Sequence, residues 1–320
     1  MHKVKKPITI VSLFAGCGGM DLGFLGGFSF LGKKYKRNNF KIIWANEINK
    51  YACDTYKKNV DKHIIQGDIK DVLDTLPGTA DLVIGGFPCQ DISINGKMEG
   101  IAGKRSGLYV YMVEVVKRLR PKMFVAENVK SLLMARHAKD LKKILADFSA
   151  LGYDVTYNLY KAADYGVPQL RERVMIVGTR KDVGKFIPPV PTCENYVTAK
   201  EALQDLETMP QNEKINHIWS MANKTTEQGN RKLVANKPGY TMRAECHGNI
   251  HFHYCLPRRI SMREAARIQS FPDTFLFESK LRETERQIGN AVPPVLAWHV
   301  AQTIEILLTD KGDLNASTGI

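Results

Sequence analysis

Cys89 stands in a short run whose composition favours a reactive thiol. The run reads Gly85-Gly86-Phe87-Pro88-Cys89-Gln90 and follows the β-rich stretch 81–84. Glycines and a proline shape a turn there, and the polar residues after it disfavour burial in an apolar core. A thiolate at such a turn can act as a nucleophile, although most single cysteines are inert core residues. The run alone therefore indicates a catalytic cysteine only weakly.

A glycine-rich turn near the start of the chain could hold a second ligand. The run Phe14-Ala15-Gly16-Cys17-Gly18-Gly19 joins a β-rich stretch to a helical pattern that begins near Met20. Glycines let the backbone turn sharply and approach a ligand at a helix N-terminus. A single Gly-x-Gly also suits an ordinary tight turn, so the motif is weak by itself.

Acidic residues after the next two predicted strands narrow the choice of ligand. Glu47 can accept hydrogen bonds from both hydroxyls of a ribose, Asp68 can hold an adenine amino group, and Ile69 can cover the ring. Each carboxylate alone could be a solvated loop charge. The chain has no dinucleotide pattern and no Lys or Arg near the glycines, which disfavours a pyrophosphate. These residues therefore indicate S-adenosylmethionine or another uncharged nucleoside.

Strand and helix patterns alternate through the first half of the chain. This alternation predicts a parallel, doubly wound α/β sheet, which holds its ligands beyond the carboxyl ends of its strands. Two closely spaced strands, 153–159 and 173–179, predict an antiparallel pair at the sheet edge. The other predicted strands are Ile8–Phe14, Lys41–Asn46, one that ends near Gly67, Asp81–Gly85 and Met123–Glu127, and the predicted helices are Lys50–Asn59, Gly107–Leu119 and Ala138–Leu151.

The composition changes after Arg180, which predicts a second domain. Pro188-Pro189-Val190-Pro191 is typical of a linker, and the chain to about Pro257 is rich in Asn, His, Lys and Gly without long periodic helices. The predicted parts are a catalytic and cofactor-binding domain over 1–185, a small domain over 186–284 with its variable part at about 190–257, and a C-terminal segment over 285–320 that packs back on the first domain. The local elements expected are an exposed loop at Lys33–Asn39, a capping box at Ser261 and Glu264, and a final helix at Pro294–Leu308.

The chain is strongly basic. Its 320 residues are 44% hydrophobic, and 46 Lys plus Arg against 33 Asp plus Glu give a net charge of +13. The charge favours a polyanionic partner such as nucleic acid, with an anionic membrane surface or simple solubility as the alternatives. The six cysteines include no Cys-x-x-Cys pair, which suits free thiols in a reducing cytosol.

The first residues resemble a secretion signal only loosely. Lysines precede an apolar stretch, and Phe14-Ala15-Gly16-Cys17 is similar to a bacterial lipoprotein cleavage site. The stretch is short, however, and Thr9 and Ser12 interrupt it. No run approaches the roughly 20 apolar residues of a membrane-spanning helix. We therefore expect a soluble cytoplasmic protein, associated with the bacterial nucleoid; a lipoprotein anchor would explain nothing past Cys17.

Five motifs follow one another in a fixed order along the chain. They read Phe14-Ala15-Gly16-Cys17-Gly18-Gly19, Gly86-Phe87-Pro88-Cys89-Gln90, Glu127-Asn128-Val129, Gln169-Leu170-Arg171-Glu172-Arg173 and Arg286-Gln287-Ile288-Gly289-Asn290-Ala291-Val292. In these motifs the chain resembles the cytosine carbon-5 DNA methyltransferases of bacterial restriction-modification systems. The resemblance covers nearly the whole length except about 181–257, where this family keeps a variable target recognition domain. It implies a Rossmann-like methyltransferase sheet, S-adenosylmethionine as methyl donor and no metal.

The resemblance also implies a role for each residue of the active site. Carbon 5 of cytosine is a poor nucleophile, so a thiolate, here Cys89, must first add to carbon 6. Glu127 is implied to donate a proton near ring nitrogen 3, which requires a raised pKa. Arg173 is implied to contact the carbonyl oxygen of the cytosine and Arg171 to steady the site. An exposed Glu127 and a surface stripe of arginines are the alternatives.

The target base must leave the duplex to reach such a pocket. Family members have a mobile loop that closes over DNA, and residues 92–107, with four glycines, correspond to it. The cofactor contacts implied by the resemblance are Phe14, Ala15, Gly16, Gly18, Gly19, Asp21, Leu22, Glu47, Ile48, Asp68, Ile69, Pro88, Leu108, Asn290, Ala291 and Val292. The implied DNA contacts are Gln90, Ser93, Lys97, Arg105, Asn128, Gln169, Thr241 and Arg243.

A group of cysteines and histidines in the second domain invites a zinc interpretation. Their spacing fits no structural zinc pattern, so polar side chains that face DNA are the favoured interpretation. The group comprises Cys246, His247, His251, His253 and Cys255.

Two rival functions remain. The tRNA methyltransferase branch of the family shares Pro-Cys-Gln and Glu-Asn-Val, but its members usually carry Cys-Phe-Thr in the second domain, and this chain has no such tripeptide. A catalytically inactive DNA-binding protein is disfavoured by the intact Cys89, Glu127 and Arg173. The expected partner is double-stranded DNA, which a monomer would modify, with any cognate restriction endonuclease acting separately.

Overall fold

A seven-stranded sheet forms the centre of the protein. A computed structural model describes residues 6–87, 107–221, 231–244 and 251–316. The strands are β1 (Ile8–Leu13), β2 (Phe28–Phe30), β3 (Lys33–Tyr35), β4 (Phe40–Glu47), β5 (Ile64–Gln66), β6 (Leu82–Gly86), β7 (Met123–Val129), β8 (Tyr153–Lys161) and β9 (Glu172–Arg180). The helices are α1 (Gly19–Leu25), α2 (Lys50–Asn59), α3 (Ile69–Val72), α4 (Tyr109–Leu119), α5 (Ala138–Ala150), α6 (Ala199–Leu203), α7 (Met262–Ile268), α8 (Leu281–Asn290) and α9 (Pro294–Ala316).

The strand order of this sheet is β5-β4-β1-β6-β7-β9-β8. Strands β5, β4, β1, β6 and β7 pair in parallel, whereas β9 runs antiparallel to both β7 and β8. The predicted α/β fold and the predicted antiparallel edge pair are therefore confirmed. Because β4, β1, β6 and β7 are parallel neighbours, their carboxyl ends meet along one edge, where a ligand can bind.

Apolar side chains alternate between the two faces of the sheet. In β1, Ile8 and Ile10 belong to one buried cluster, while Val11 and Leu13 belong to the cluster on the opposite face. Such alternation follows from the two-residue repeat of a strand. A third apolar cluster lies in the C-terminal half and includes residues of α6, α7 and α8.

One prediction in the first half was wrong. We expected Lys33–Asn39 to be an exposed loop, but Lys33–Tyr35 forms the second strand of the β2–β3 hairpin. The ring of Tyr35 is buried and stacks on Phe28, with ring centroids 5.0 Å apart. The exposed lysines conceal this strand in the sequence, because a three-residue strand offers too little alternation to recognise.

Local signals for helix starts were more reliable. The capping box at Ser261 is confirmed: its hydroxyl accepts from the Glu264 amide at 3.0 Å, and the Glu264 carboxylate accepts from the Ser261 amide at 2.6 Å. Asn49 caps α2 in a similar way by accepting from the Ala52 amide at 2.9 Å. Within the described ranges, short 3-10 turns also occur at Leu73–Thr75, Lys130–Leu133, Ala135–His137, Ala162–Tyr165, Gln204–Leu206 and Glu213–Ile215.

The C-terminal helix α9 returns to the first half of the chain and packs on α1. The two helices approach so closely that a Cβ added at Gly23 would lie 2.4 Å from the Ala297 Cβ, so only glycine fits there. The segment Leu281–Thr309 is long and apolar enough by composition to cross a membrane. Its α9 residues Val295, Leu296 and Val300 are nevertheless fully buried in the protein core, as in the core helix of a globular domain.

A buried arginine joins the sheet to the C-terminal half. Arg171, just before β9, is fully buried, and its guanidinium donates to the Met242 carbonyl and to the Gly289 carbonyl, each at 2.8 Å. The buried Gln169 fixes the same region, because its side-chain oxygen accepts from the Met242 amide at 3.0 Å. The planar fork of Arg171 thus holds residues of two distant segments at once.

We predict that Arg171→Lys destabilises the protein by about 2–4 kcal/mol, because one ammonium cannot reach both carbonyls and a buried acceptor loses its partner. Urea unfolding of the purified protein measures this loss. The control is Arg118→Lys, whose guanidinium forms an exposed ion pair with Glu114 and should change stability by less than about 0.5 kcal/mol. Equal losses in the two variants would show that the Arg171 bonds do not stabilise the fold.

A buried carboxyl in the first turn of α1 makes stability depend on pH. The side chain of Asp21 is 1% exposed and accepts from the Tyr56 hydroxyl at 2.8 Å. Burial raises the pKa of Asp21 from its ordinary 3.8 to about 6, although hydrogen bonds from Ser12 and Tyr56 oppose this. A raised carboxyl pKa means that the folded state favours the protonated form. Its contribution to stability is therefore complete at low pH and is lost as the pH rises through about 6.

We predict that Asp21→Asn removes this penalty, because an amide carries no charge and still accepts from Tyr56. The difference in unfolding free energy between variant and wild type should grow by up to about 3 kcal/mol between pH 4 and pH 7.5. Thermal unfolding across this range provides the measurement. Asp154→Asn, at an exposed position of β8, should give a difference that does not vary with pH. A pH-independent difference for Asp21→Asn as well would contradict the assignment.

Candidate active site

The glycine-rich turn after β1 is fixed to the end of β4. The Ala15 amide donates to the Asn46 carbonyl at 2.9 Å, and the Gly16 amide donates to the Glu47 carboxylate at 2.9 Å. Gly18 has a φ of 92°, which non-glycine residues rarely adopt. A Cβ at Gly19 would lie 2.5 Å from the Val292 carbonyl oxygen, so the turn also packs closely on the segment after α8.

Glu47 lies at the centre of the predicted cofactor site. Besides Gly16, its carboxylate accepts from the Asn49 amide at 2.8 Å. Burial raises the pKa of Glu47, while these amides and the charge of Arg286 lower it. A carboxylate has about four acceptor positions, so Glu47, which is half-buried, retains capacity for the two hydroxyls of a ribose.

The neighbouring aliphatic side chains differ in their exposure. Ile48 is 65% exposed beside Glu47, which leaves its surface available to cover a planar ring. Ile69 is 3% exposed and packs in the core next to Leu73, so its side chain offers much less surface than the sequence suggested. Asp68, half-buried, caps α3 through the Lys70 amide at 3.2 Å. Glu47, Ile48 and Asp68 thus fit a nucleoside-bearing group with no phosphate.

The remaining predicted cofactor residues divide between the turn and its packing partners. Phe14, Ala15 and Leu22 are half-buried near the turn, Leu108 is half-buried at the start of α4, and Asn290 is exposed at the end of α8. Ala291 and Val292 are buried against the turn. Asp21 is buried in the first turn of α1, where its carboxylate accepts from the Tyr56 hydroxyl, so its side chain ties the start of α1 to α2. Pro88 lies outside the described residues.

Glu127 and Arg173 form a buried ion pair at the carboxyl end of β7. The Arg173 Nε lies 2.8 Å from the Glu127 Oε1, and both side chains are about nine-tenths buried. The two residues are diagonal neighbours in the β7–β9 ladder, where Glu127 faces Met175 and Arg173 faces Val129. The exposed alternatives for Glu127 and the two arginines are thus excluded, since Arg171 is also fully buried.

The same pair lies against the strand that leads to Cys89. Gly86 pairs with Glu127 in the parallel β6–β7 ladder, and a Cβ at Gly86 would lie 2.7 Å from the Glu127 Oε2. The buried Asn128 side chain donates to the Phe87 carbonyl at 3.0 Å, which fixes the backbone at the end of β6. Glycine at position 86 therefore lets a carboxylate approach the backbone three residues before Cys89.

Burial is the largest influence on the pKa values of Glu127 and Arg173. Loss of solvent raises the pKa of Glu127, and the charges of Arg173 and Arg171 only partly oppose the rise. Burial lowers the pKa of Arg173, with Glu127 acting in the opposite sense. A carboxyl with a raised pKa keeps its proton to a higher pH, so Glu127 can serve as a proton donor.

The predicted nucleophile lies outside the described residues, as do Gln90, Ser93, Lys97 and Arg105. Among the described cysteines, Cys17 and Cys53 are buried, and burial raises the pKa of each thiol to about 12. Such thiols form little thiolate near neutral pH and are poor nucleophiles.

The other predicted DNA contacts fall into two groups. Asn128 and Gln169 are buried. The Gln169 side chain donates to the Ile268 carbonyl at 3.1 Å and accepts from the Met242 amide at 3.0 Å. Their side chains therefore hold backbone in this structure and face no solvent. Thr241 is half-buried and donates to the Leu170 carbonyl at 2.8 Å, whereas Arg243 is exposed. Arg243 is thus the described residue of this set that can reach a duplex directly.

The prediction that the group of cysteines and histidines faces DNA was wrong in part. His251 and His253 are 4% and 0% exposed, so neither imidazole faces DNA in this structure. Cys255 is exposed, and Cys246 and His247 lie outside the described residues. Sequence reasoning missed Glu207, which lies beside His253 and Cys255. No local spacing could indicate it, because Glu207 belongs to a distant segment of the chain.

Comparisons with known proteins agree with this geometry. The family model of the C-5 cytosine-specific DNA methylases matches residues 8–244 and 214–305. The type II methyltransferase M.NgoFVII of Neisseria gonorrhoeae is 38% identical, covering 96% of this chain and 88% of the relative. The type II methyltransferase M.FnuDI of Fusobacterium nucleatum is 36% identical, covering 95% of this chain and 96% of the relative.

Solved structures share the fold. The chain matches the crystal structure of a protein described as a prophage-encoded DNA modification methyltransferase of E. coli, with a TM-score of 0.72 and 23% identity over 94% of this chain and 99% of the other. It matches Entamoeba histolytica methyltransferase EhMeth with a TM-score of 0.66 and 17% identity over 96% and 99% of the two chains. With the family model and the curated relatives, these findings show that the chain belongs to the C-5 cytosine-specific DNA methylases and is a type II DNA methyltransferase.

Proposed function

We propose that this enzyme methylates carbon 5 of a flipped cytosine in a specific sequence of double-stranded DNA, through a covalent adduct with Cys89. The observation that carries the proposal is the buried Glu127–Arg173 pair, which lies against Gly86 at the end of the strand that leads to Cys89. An attack on a pyrimidine ring requires an acid near the nucleophile, and buried Glu127 lies beside Gly86, three residues before Cys89.

The chemistry divides among a few side chains. The Cys89 thiolate adds to carbon 6, and the electron pair of the 5,6 double bond shifts through carbon 5 and carbon 4 toward nitrogen 3. Glu127 gives its proton to ring nitrogen 3 and so neutralises the developing charge. S-adenosylmethionine, when bound, would supply the methyl group to carbon 5 as its sulfonium–methyl bond breaks, and S-adenosylhomocysteine would leave. The carbon 5 proton then passes to water, and the 5,6 double bond re-forms as the carbon–sulfur bond breaks and the Cys89 thiolate leaves. Nitrogen 3 returns its proton to Glu127, which restores the enzyme.

The arginines are proposed to position the reacting groups. Arg173 holds the Glu127 carboxyl at 2.8 Å and presents a cation where the carbonyl oxygen of a cytosine would lie. Arg171 secures the start of β9 through the Met242 and Gly289 carbonyls, so Arg173 cannot shift along the strand. For the cofactor, Glu47 is proposed to hold the ribose, with Asp68 and Ile48 at the adenine.

The proposal extends to the organisation of the enzyme. Residues 1–185 would carry catalysis and cofactor binding, 186–284 target recognition, and 285–320 the segment that packs back on the first part. We infer a monomer in the bacterial cytoplasm, bound to nucleoid DNA, with any cognate restriction endonuclease as a separate protein. The tRNA substrate of the related branch is disfavoured by the type II methyltransferases among the curated relatives.

We predict that Cys89→Ser reduces methyl transfer by roughly 10³-fold or more while leaving DNA affinity within a few-fold of wild type, because a hydroxyl is a far weaker nucleophile than a thiolate. Bisulfite sequencing of plasmid DNA methylated in vitro measures transfer and identifies the modified cytosine. The control is Cys193→Ser, which replaces a half-exposed cysteine outside this site and should retain activity. Transfer at the wild-type rate by Cys89→Ser would refute the covalent mechanism.

We also predict that DNA affinity falls steeply with salt, because the net charge of +13 binds phosphates and releases counterions. Between 50 and 200 mM salt the loss should reach roughly 10³-fold, measured by fluorescence anisotropy with a labelled duplex. Arg243→Gln should reduce the slope of log affinity against log salt by about 1, if this exposed side chain contacts a phosphate. Lys62→Gln, at an exposed position after α2, is the matched charge control. A flat salt response would mean that the basic charge serves another purpose.

A further inference from the structure

Three potential metal ligands meet in the C-terminal half, away from the residues assigned to catalysis. They are Glu207, just after the turn Gln204–Leu206, and His253 and Cys255, in the loop before α7. One donor atom from each side chain lies within 4.8 Å of the other two. A carboxylate oxygen, an imidazole nitrogen and a thiolate sulfur form a ligand set that zinc accepts.

The imidazole of His253 is oriented as a metal ligand would be. Its Nδ1 lies 3.5 Å from the Cys255 Sγ and accepts long hydrogen bonds from the Cys255 and Leu256 amides, at 3.3 and 3.4 Å, which a bound cation would displace. The ring is fully buried and its Nε2 has no hydrogen-bond partner among the described residues. That Nε2 faces the Glu264 carboxylate at 3.7 Å, and a carboxylate behind the ring is the usual support for a metal-bound histidine.

The supporting carboxylate is itself held firmly. Glu264 accepts from the Arg258 guanidinium through both oxygens, at 2.7 and 2.9 Å, and from the Ser261 amide at 2.6 Å. Glu207 is held from the other side by the Tyr254 hydroxyl, which donates to it. Two of the three potential ligands are therefore oriented by neighbours that would remain in place with a cation bound.

The separation of the two nearest donors matches tetrahedral zinc. Zinc binds sulfur at about 2.3 Å and nitrogen at about 2.0–2.1 Å, so the two ligands of a tetrahedral site lie about 3.5 Å apart. The observed distance between Nδ1 and Sγ is 3.5 Å. Water can take the fourth position, because Cys255 is exposed.

We propose that Glu207, His253 and Cys255 bind a Zn²⁺ ion that fastens the segment after α6 to the loop before α7. This reverses the expectation from sequence, in which the spacing of cysteines and histidines disfavoured zinc and no metal was expected. Glu207 supplies the ligand that the spacing could not reveal. The site is structural and independent of methyl transfer, and it ties the loop that precedes α7 to the segment after α6.

The test uses the full-length protein without a polyhistidine tag, purified with zinc and then dialysed free of excess metal. Elemental analysis should find one zinc per chain in wild type and a loss of that zinc in Cys255→Ser, where the exposed position makes misfolding no concern. Replacing zinc with Co²⁺ should give a thiolate-to-cobalt charge-transfer band in wild type that is absent from Cys255→Ser. Cys193→Ser, the matched thiol control, should behave as wild type in both measurements.

A second variant tests whether Glu207 binds the metal together with the Cys255 thiol. Glu207→Gln still accepts from the Tyr254 hydroxyl but binds metal weakly, so it should keep the charge-transfer band and lose roughly tenfold or more in cobalt affinity. A chelator should lower the Tm of wild type and leave that of Cys255→Ser unchanged. Absence of stoichiometric metal in wild type, equal metal in Cys255→Ser, or a charge-transfer band that survives in Cys255→Ser would overturn the proposal.

Discussion

The buried ion pair of Glu127 and Arg173 is the interaction on which the active site depends. Two charges removed from water are costly unless they are paired at close range, so neither side chain can leave without exposing the other to an apolar surrounding. The antiparallel β9 is what makes the pair possible, because it delivers Arg173 diagonally across from Glu127 at the end of β7. A purely parallel edge would place no cation there. The one reversed strand thus supplies the charge that the site needs.

The pair also links catalysis to the rest of the molecule. Arg171 stands two residues before Arg173, just before β9 begins, and it donates to the Met242 and Gly289 carbonyls of the C-terminal half. Gly289 belongs to α8, which precedes the residues that pack on the glycine-rich turn. The residues at the start of β9 therefore fix the acid Glu127, the backbone at Met242 and the end of α8 that leads to the glycine-rich turn. A displacement of any one of these groups would therefore shift the others, because few bonds separate them.

Much of this arrangement could be predicted from the sequence because parallel sheets collect the ends of their strands at one edge. Apolar stretches that end in Glu47, Gly85 and Glu127 predict that these residues lie at the same edge of the sheet. Contacts between distant segments could not be predicted in this way. The burial of Gln169, the position of Glu207 beside His253 and the short hairpin β2–β3 all depend on tertiary packing that no local pattern encodes. Polar residues such as Gln169 have several possible partners, so the sequence alone does not reveal which of them they contact.

The covalent step is tested most directly by trapping it with duplex DNA that carries 5-fluorocytosine at the target position. Fluorine at carbon 5 cannot leave as a cation, so after methyl transfer the elimination step stalls and the bond between sulfur and carbon 6 persists. The proposed mechanism predicts a one-to-one complex that survives denaturation and whose cross-linked peptide contains Cys89. Methylation of ordinary DNA without a trapped complex, or a cross-link to Cys193 or Cys255, would contradict it.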